Sequence, residues 1–543
     1  MIAVTKINEN IPANNKGIRF GDYEYVADYD NRFPDDKVCF QSDDYILLLD
    51  GLVLNRVQLL KENPKFVWAE YLIDLYRRDG EKFFAKLRGS FVGALYDVRR
   101  NKWIIFKDHL GSYPIFYANN NQLFVSTDIA YLYKLMKQSG IELKLNSTGI
   151  QMLFDCEMTM DGYTICNQVS WLHPGCYLVY EKNKIEEKQF YKIERNEIKL
   201  SSVDEYLDMI DEAFCNAIKT QFSKDDEYGY KTITLLSGGI DSRMVVWMAH
   251  QLGWNKQLNI TFANSGSYDE TIARQIAFDL RHEWLFKPLE DGNFMYLVDE
   301  CTLKTGGNMT FTRMVHQKST LSLIDFEGAD FGVLHTGTKG EILKGDEAFG
   351  GHLYKNTNYY LDYLQKIGVT PFLDYSDPEV CTIITGRGLF NRWSIDQSPF
   401  MELDFFEMTL NIPTKLRLDE YIYKQWICKR HADANKYAWA TTGLPYGSKR
   451  FNPKVPYVHC YLHQLPKYIG YKMGKNGFGM NPWLQFYNNN VGLKSYYENY
   501  AQYLDVIEDD KVRDRIKNSL FSDDLVLKFR AVTVLSAVKL FFS

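Results

Sequence analysis

The sequence predicts two units: a layered α+β unit built on antiparallel sheet, then an α/β unit with a doubly wound parallel sheet and a helical C-terminal extension. Three observations predict this. Residues 20 to 195 read as short apolar runs punctuated by turn residues. From about Ser201, apolar runs of strand length alternate with segments whose apolar residues recur at helical spacing. The chain has 543 residues, too many for one ordinary core.

In the first unit, "YILLLDGLVLN" (45–55) is an apolar run interrupted by Asp-Gly, which reads as a hairpin. "GSFVGALYDVRRNKWIIFKDHLGSYPIFYA" (89–118) reads as two strands joined at "VRRNK", a turn at "HLGSYP" and a further strand. "NQLFVSTDIAYLYKLM" adds a strand and begins a helix. "VSWLHPGCYLVYEKNKIEEKQFY" carries a Pro-Gly turn and a hairpin. Few helices are expected before residue 195. In the second unit "SVDEYLDMIDEAFCNAIKTQF" is helical and "KTITLL" is a buried strand. "SRMVVWMAHQLG" is a helix ending in glycine, and "LNITFAN" a second strand. "SYDETIARQIAFDLRHE" is a helix with Ser267 and Glu270 at capping-box spacing, and "FGVLHTG" a later strand. The last two hundred residues read as mainly helical and Tyr-rich.

Composition narrows the function classes. Hydrophobic residues make up 45% and charged residues 24%, with a net charge of −6. No basic excess exists to pair with phosphate backbones, so nucleic acid is not expected as a partner. The nine cysteines are scattered without a C-x-x-C pair, which predicts reduced thiols rather than a zinc site or disulfide framework. No signal peptide is read in "MIAVTKINEN", and no apolar run reaches the roughly 20 residues that span a bilayer. A cytoplasmic protein is expected.

The stretch "TITLLSGGIDSRMVVWMAH" (232–250) carries the chemistry. A strand ends at Leu236 and a helix begins near Asp241 or Ser242. Gly238 and Gly239 allow backbone angles closed to other residues and let a ligand approach the main chain. The first amides of the helix lack internal partners and sit at the positive end of its dipole. Ser237 and Ser242 add hydroxyl donors. The loop has neither the spacing and lysine of a Walker loop nor a G-x-G-x-x-G fingerprint. Its place, at the carboxyl end of a strand in a doubly wound sheet, suits a nucleotide.

"SGGIDS" resembles the pyrophosphate loop of the N-type ATP pyrophosphatases, and the chain resembles asparagine synthetase and its relatives over nearly its whole length. The resemblance implies an Ntn-type αββα sandwich over residues 1–195, a class II glutamine amidotransferase-like domain. It implies an ATP pyrophosphatase (HUP-like) synthetase domain over 196–543. In that family ATP adenylates a carboxylate, pyrophosphate leaves, and an amine or ammonia attacks the acyl-adenylate. Carried over, Ser237, Gly238, Gly239, Asp241 and Ser242 hold pyrophosphate, with Asp241 on Mg²⁺. Leu236 and Ile260 flank the adenine. In "HTGTKGEILKGDEAFGGHLY", a gapless count from Thr336 and Gly337 puts Glu341 at the second metal position. Matching "GDEAFGG" instead selects Asp346 and Glu347, the reading preferred for the longer match. His352 falls where the family has tyrosine. In "QSPFMELDFFEMTLNIPTKLRLDEYIYKQW" the family's K-[YWH] motif falls on Lys424, a cation for charge developing at phosphorus and carbon, and Glu402 replaces an aspartate. Asn308, Arg313 and His316, in "GNMTFTRMVHQKS", match the helix that faces substrate.

The first domain resembles an amidotransferase that works through an N-terminal cysteine. The given chain begins Met1-Ile2-Ala3, and the family's N-G-E has become Asp50-Gly51-Leu52. Its glutaminase is therefore expected to be inactive. The resemblance implies an ATP-dependent amide-forming ligase that takes a small-molecule, sugar or peptide carboxylate, with the amine from the substrate itself or from free ammonia. Two alternatives stay open. One is an amidating enzyme of a polysaccharide or natural-product pathway supplied with ammonia by another protein; "SGGIDSR" and the apolar "VLSAVKLFFS" resemble those members. The other is an inactive scaffold. A homodimer and a complex with a pathway partner are both open, and ATP and Mg²⁺ are the cofactors implied.

Overall fold

The computed structural model describes residues 1–7, 16–118, 122–327, 330–345, 359–373, 395–447 and 482–543. Its first unit holds twelve strands: β1 (Ile2–Lys6), β2 (Ile18–Phe20), β3 (Tyr23–Ala27), β4 (Val38–Gln41), β5 (Tyr45–Val53), β6 (Gly89–Asp97), β7 (Lys102–Lys107), β8 (Phe116–Ala118), β9 (Phe124–Ser126), β10 (Val169–Trp171), β11 (Cys176–Glu181) and β12 (Lys184–Gln189). They form two six-stranded sheets, ordered β10-β8-β9-β1-β3-β2 and β12-β11-β7-β6-β5-β4. Alternate residues of β5 show why its sequence is apolar throughout. Ile46 and Leu48 face the first sheet. Leu47 and Leu49 face helices α1 (Arg56–Glu62) and α2 (Trp68–Asp79). A strand buried on both faces cannot alternate apolar with polar. Helices α3 (Ile129–Gln138) and α4 (Ser147–Cys156) cover the other side, which completes the expected αββα sandwich.

Two readings are corrected. Asp50-Gly51 is not a hairpin: β5 runs through it, pairing Asp50 with Val92 and Gly51 with Phe91. Gly51 has φ +110°, and a Cβ there would stand 2.3 Å from the Ser90 carbonyl oxygen, so the glycine serves close strand approach. The helices α1 to α4 also exceed the few expected. Of these, α3 is the helix expected to begin within "NQLFVSTDIAYLYKLM", whereas α2, "WAEYLIDLYRRD", has apolar residues at helical spacing inside a region read as strands and turns.

The second unit opens with α5 (Val203–Tyr228), α6 (Ile240–Gln251) and α7 (Tyr268–Leu280). Its sheet contains β13 (Ile233–Leu235), β14 (Leu258–Ala263), β15 (Glu283–Pro288), β16 (Leu334–His335) and β17 (Asp396–Gln397), ordered β15-β14-β13-β16-β17 with all pairs parallel. The chain leaves β13 towards β14 and later returns to β16 on its other side. The topological switch, where ligands bind in open α/β sheets, therefore lies at the carboxyl end of β13. Ser267 caps α7 as expected, accepting from the Glu270 amide at 3.3 Å. Beneath the sheet, Asp225 of α5 accepts from Val333 N (3.0 Å) and meets His335 Nε2 (2.9 Å), with Phe222 stacked on the same imidazole. This fixes β16 and the residues that follow it.

A buried ionic cluster joins the units. Asp36 is fully buried; its Oδ1 receives Lys224 Nζ of α5 and Arg56 Nε, both at 2.8 Å. Burial pushes the Asp36 carboxyl up despite these cations, so the cluster specifies the docking more than it stabilises it. The C-terminal helix Leu525–Ala537 is also buried and shares a core with α3 and α4. The seven described cysteines are free thiols. Among the described residues no helix is long and apolar enough to cross a membrane. Asp36→Ala leaves Lys224 with Glu227 as its remaining carboxylate partner and is expected to lower stability by about 1–3 kcal/mol, whereas Asp36→Leu with Lys224→Met costs less. Urea unfolding of both variants checks this; equal losses would contradict it.

Candidate functional site

At the end of β13 the chain turns through Ser237–Gly239 into α6, with Gly239 as its N-cap residue. The turn is held from within. Ser237 N donates to Ser242 Oγ (3.1 Å), the two hydroxyls lie 3.0 Å apart, and Gly239 N donates to Ser237 Oγ (3.1 Å). Gly238 N donates to Asp269 Oδ1 at the start of α7 (3.1 Å). Neither glycine takes a positive φ. The sequence reading that they relax the backbone angles is thus corrected. At Gly238 the need is room, because a Cβ would lie 2.8 Å from both the Tyr268 carbonyl oxygen and the Ala440 methyl.

The returning strand end seals the other wall. A Cβ on Gly337 would stand 2.4 Å from Ser242 N, and one on Gly340 would stand 2.3 Å from Asp241 Cγ. Between these walls lies a cavity of about 250 Å³ lined by Leu235, Leu236, Ser237, Gly239, Asp241, Ser242, Ile260, Phe262 and Thr336–Thr338. Seven residues expected from sequence meet here: Leu236, Ser237, Gly239, Asp241, Ser242, Ile260 and Gly337. Gly238 belongs to the same turn. The main-chain N–H of Leu236 donates to Ile260 O (2.9 Å), and the Leu236 carbonyl accepts from Thr261 Oγ1 (2.7 Å). Leu236 and Ile260 therefore offer the cavity mainly apolar side chains.

Asp241 is the carboxylate of the cavity. Its Oδ1 accepts from Tyr423 OH (2.8 Å) and its Oδ2 receives Lys344 Nζ (2.7 Å). Burial holds the Tyr423 phenol well above its ordinary pKa, and the Asp241 charge adds to the shift, so Tyr423 acts as a donor. Neither partner stands out in the sequence. Lys344 is 103 residues from Asp241, and Tyr423 sits beside Lys424, the residue singled out. Lys424 itself donates to Asp419 O (2.8 Å) and pairs with Glu420 (3.3 Å). Arg243, next to Ser242, is fully buried. It braces the turn from behind, donating to Tyr437 O (3.2 Å), Gly238 O (3.3 Å) and Ala438 O (2.5 Å). Burial lowers its guanidinium to about 10.

Glu341 follows Gly340 on the short turn against Asp241 and pairs with Lys339 at 3.6 Å. Asp346, Glu347 and His352 lie outside the described residues. Among the described residues no three His, Cys, Asp or Glu side chains cluster as a metal site. Glu402 caps its own helix, accepting from Phe405 N at 3.0 Å. Two of the three residues expected to face substrate are engaged with the first unit. Asn308 is buried and accepts from Ile165 N (2.8 Å), and Arg313 pairs with Glu157 (2.9 Å). His316 lies among Phe262, Phe294 and Trp483, and burial lowers its imidazole to about 4. Of the three, His316 alone touches a cavity residue, Phe262.

Similarity to known proteins agrees with this architecture. Residues 38–191 match the glutamine amidotransferase domain family. The chain is 26% identical over 307 residues to the amidase chry2 of Gibberella zeae, covering 50% of this chain and 44% of the relative. It is 21% identical to asparagine synthetase 1 of Bacillus subtilis, covering 47% and 41%, and 23% identical to asparagine synthetase B of Escherichia coli, covering 38% and 32%. The chain thus spans less than half the length of each of these three relatives. By sequence it is asparagine synthetase-like.

Gly337→Ala is expected to push β16 away from α6 and to lower stability by about 1–3 kcal/mol. Thermal unfolding checks this, and a melting curve identical to that of the parent would contradict the close approach.

Proposed function

We propose that the protein is an ATP-dependent carbon–nitrogen ligase that adenylates a carboxylate, releases pyrophosphate and passes the acyl group to an amine without hydrolysing glutamine. The observation that carries this reading is the cavity at the carboxyl end of β13, where serine hydroxyls, the first turn of α6 and Asp241 converge. The orphan amides of that turn and the positive end of the helix dipole favour an anion. Leu236, Ile260 and Phe262 give the same cavity an apolar side suited to a purine face.

In this mechanism the turn Ser237–Ser242 binds the two phosphates that leave. Their release moves negative charge onto the pyrophosphate oxygens, where the first-turn amides of α6 and its dipole would stabilise it. Tyr423 holds the Asp241 carboxylate by one oxygen. Magnesium fits this chemistry: Asp241 supplies one hard oxygen ligand, and of the two residues proposed for a second, Glu341 follows Gly340, which packs on Asp241, while Asp346 lies outside the described residues. When bound, the ion would neutralise phosphate charge. Lys424 is the cation proposed for charge developing at the reacting phosphorus and carbon, released from Glu420 when substrate enters.

The absence of glutamine hydrolysis is supported inside the first unit. Asp50 stands where the resemblance puts an asparagine, and its carboxylate faces Lys37 at 3.6 Å. Leu52, in place of a glutamate, is buried with Phe33, Val333 and Ile395. A carboxylate cannot donate to a substrate carbonyl oxygen as an asparagine amide does, and an apolar side chain neither donates nor accepts.

Asp241→Ala is expected to abolish ATP–pyrophosphate exchange, a loss of at least about 10²-fold; unchanged exchange would overturn the assignment. The protein is also expected to form no glutamate from glutamine, measured by coupled glutamate oxidation. Sustained glutamate release would show that the first unit is a working glutaminase.

A further inference from the structure

We propose that Lys344 is the phosphate-binding lysine of this site, a ligand of the leaving pyrophosphate that Asp241 holds in readiness; the proposal rests on the ligase reading above. The turn Ser237–Ser242 contains no lysine, yet the fold delivers one to it. Lys344 Nζ lies 2.7 Å from Asp241 Oδ2, and only 12% of its side chain is exposed. Asp241 lines the cavity with Ser237 and Ser242, so the ammonium sits one carboxylate away from where the proposed pyrophosphate would lie.

The placement is built rather than accidental. The Lys344 carbonyl accepts from Glu420 N at 3.1 Å, and a Cβ on the next residue, Gly345, would meet Arg417 O at 2.7 Å. The backbone of Lys344 is therefore clamped against residues 417–420. Asp419 and Glu420 are consecutive non-glycine residues with φ of +54° and +58°, a strained pair that surrounding contacts must enforce. Glu420 accepts from Tyr446 OH at 2.7 Å, and Lys424 holds the Asp419 carbonyl. The Tyr423 ring lies 5.4 Å from Lys344 Nζ. One strained turn thus positions both Asp241 partners, the ammonium and the phenol.

A largely covered ammonium beside one carboxylate has three donors and uses one of them there. The other two can donate to phosphate oxygens. Charge-assisted hydrogen bonds of this kind are the strong ones, and the buried setting amplifies them. Asp241 pairs with the lysine while the cavity is empty and shares it with the anion when the cavity fills. No covalent step involves Lys344.

The test is calorimetric titration of inorganic pyrophosphate into the full chain in EDTA, alongside the ATP dependence of ATP–pyrophosphate exchange. Lys344→Ala is expected to weaken pyrophosphate binding by at least about tenfold and to raise KM for ATP by a similar factor, while Lys344→Arg stays within about threefold of the parent. Asp241→Asn frees the ammonium and is expected to bind metal-free pyrophosphate at least as tightly as the parent. Asp241→Asn combined with Lys344→Ala should bind as weakly as Lys344→Ala alone. If Lys344 served only to neutralise Asp241, the double variant would regain the parent affinity, which would overturn the proposal. Unchanged binding and KM in Lys344→Ala, in a parent that binds pyrophosphate and exchanges it, would sink the lysine alone. A parent that neither binds nor exchanges pyrophosphate would sink the ligase reading with it.

Discussion

The site depends on one close approach: the backbone that follows β16 lies directly on the first turn of α6. Gly337 touches the Ser242 amide, and Gly340 touches the Asp241 carboxyl, at separations no side chain tolerates. This contact closes the cavity and carries Lys344 to Asp241. The contact is itself anchored below the sheet, where Asp225 holds Val333 and His335. It is braced from behind by Arg243, whose buried guanidinium ties Gly238 to the segment 434–438.

Electrostatics follow from that geometry. A carboxylate at a helix N-terminus is favoured by the dipole, so Asp241 alone would make the turn self-satisfied and repel phosphate. Lys344 and Tyr423 change the balance: one adds a positive charge, and the other donates to the same carboxylate. With the turn's serine hydroxyls, the cavity gains several donors around a single anion. That excess suits a polyanionic ligand better than a neutral one.

The sequence revealed the parts whose signal is local. The parallel sheet was legible because β13 and β14 are short apolar runs, each followed by a helix, and because "SGGIDS" sits between the first strand and its helix. Leu236, Ser237, Asp241, Ser242 and Ile260 meet in one cavity for that reason. The αββα layers followed from the resemblance more than from periodicity. β5 is buried on both faces, so its apolar run carries no alternation, and its Asp-Gly reads falsely as a turn. What the sequence hid is long-range. Lys344 and Tyr423 reach Asp241 from distant segments, and Lys344 does so through left-handed residues at Asp419 and Glu420 that no local pattern announces. Asn308 and Arg313 looked like substrate contacts because their helix matched one that faces substrate. Here their side chains meet Ile165 and Glu157 of the first unit.

The first unit contributes packing and placement to this account. Its buried Asp36 and the C-terminal helix Leu525–Ala537 tie it to the second unit from opposite ends of the chain. The central claim concerns the second unit alone: the turn after β13 is where ATP loses two phosphates. The most direct measurement is a crystal structure with magnesium and an ATP analogue that cannot be cleaved between its α and β phosphates. The account predicts β and γ phosphates against Ser237–Ser242 and the purine against Leu236 and Ile260. A triphosphate bound elsewhere, with that turn unchanged, would contradict it.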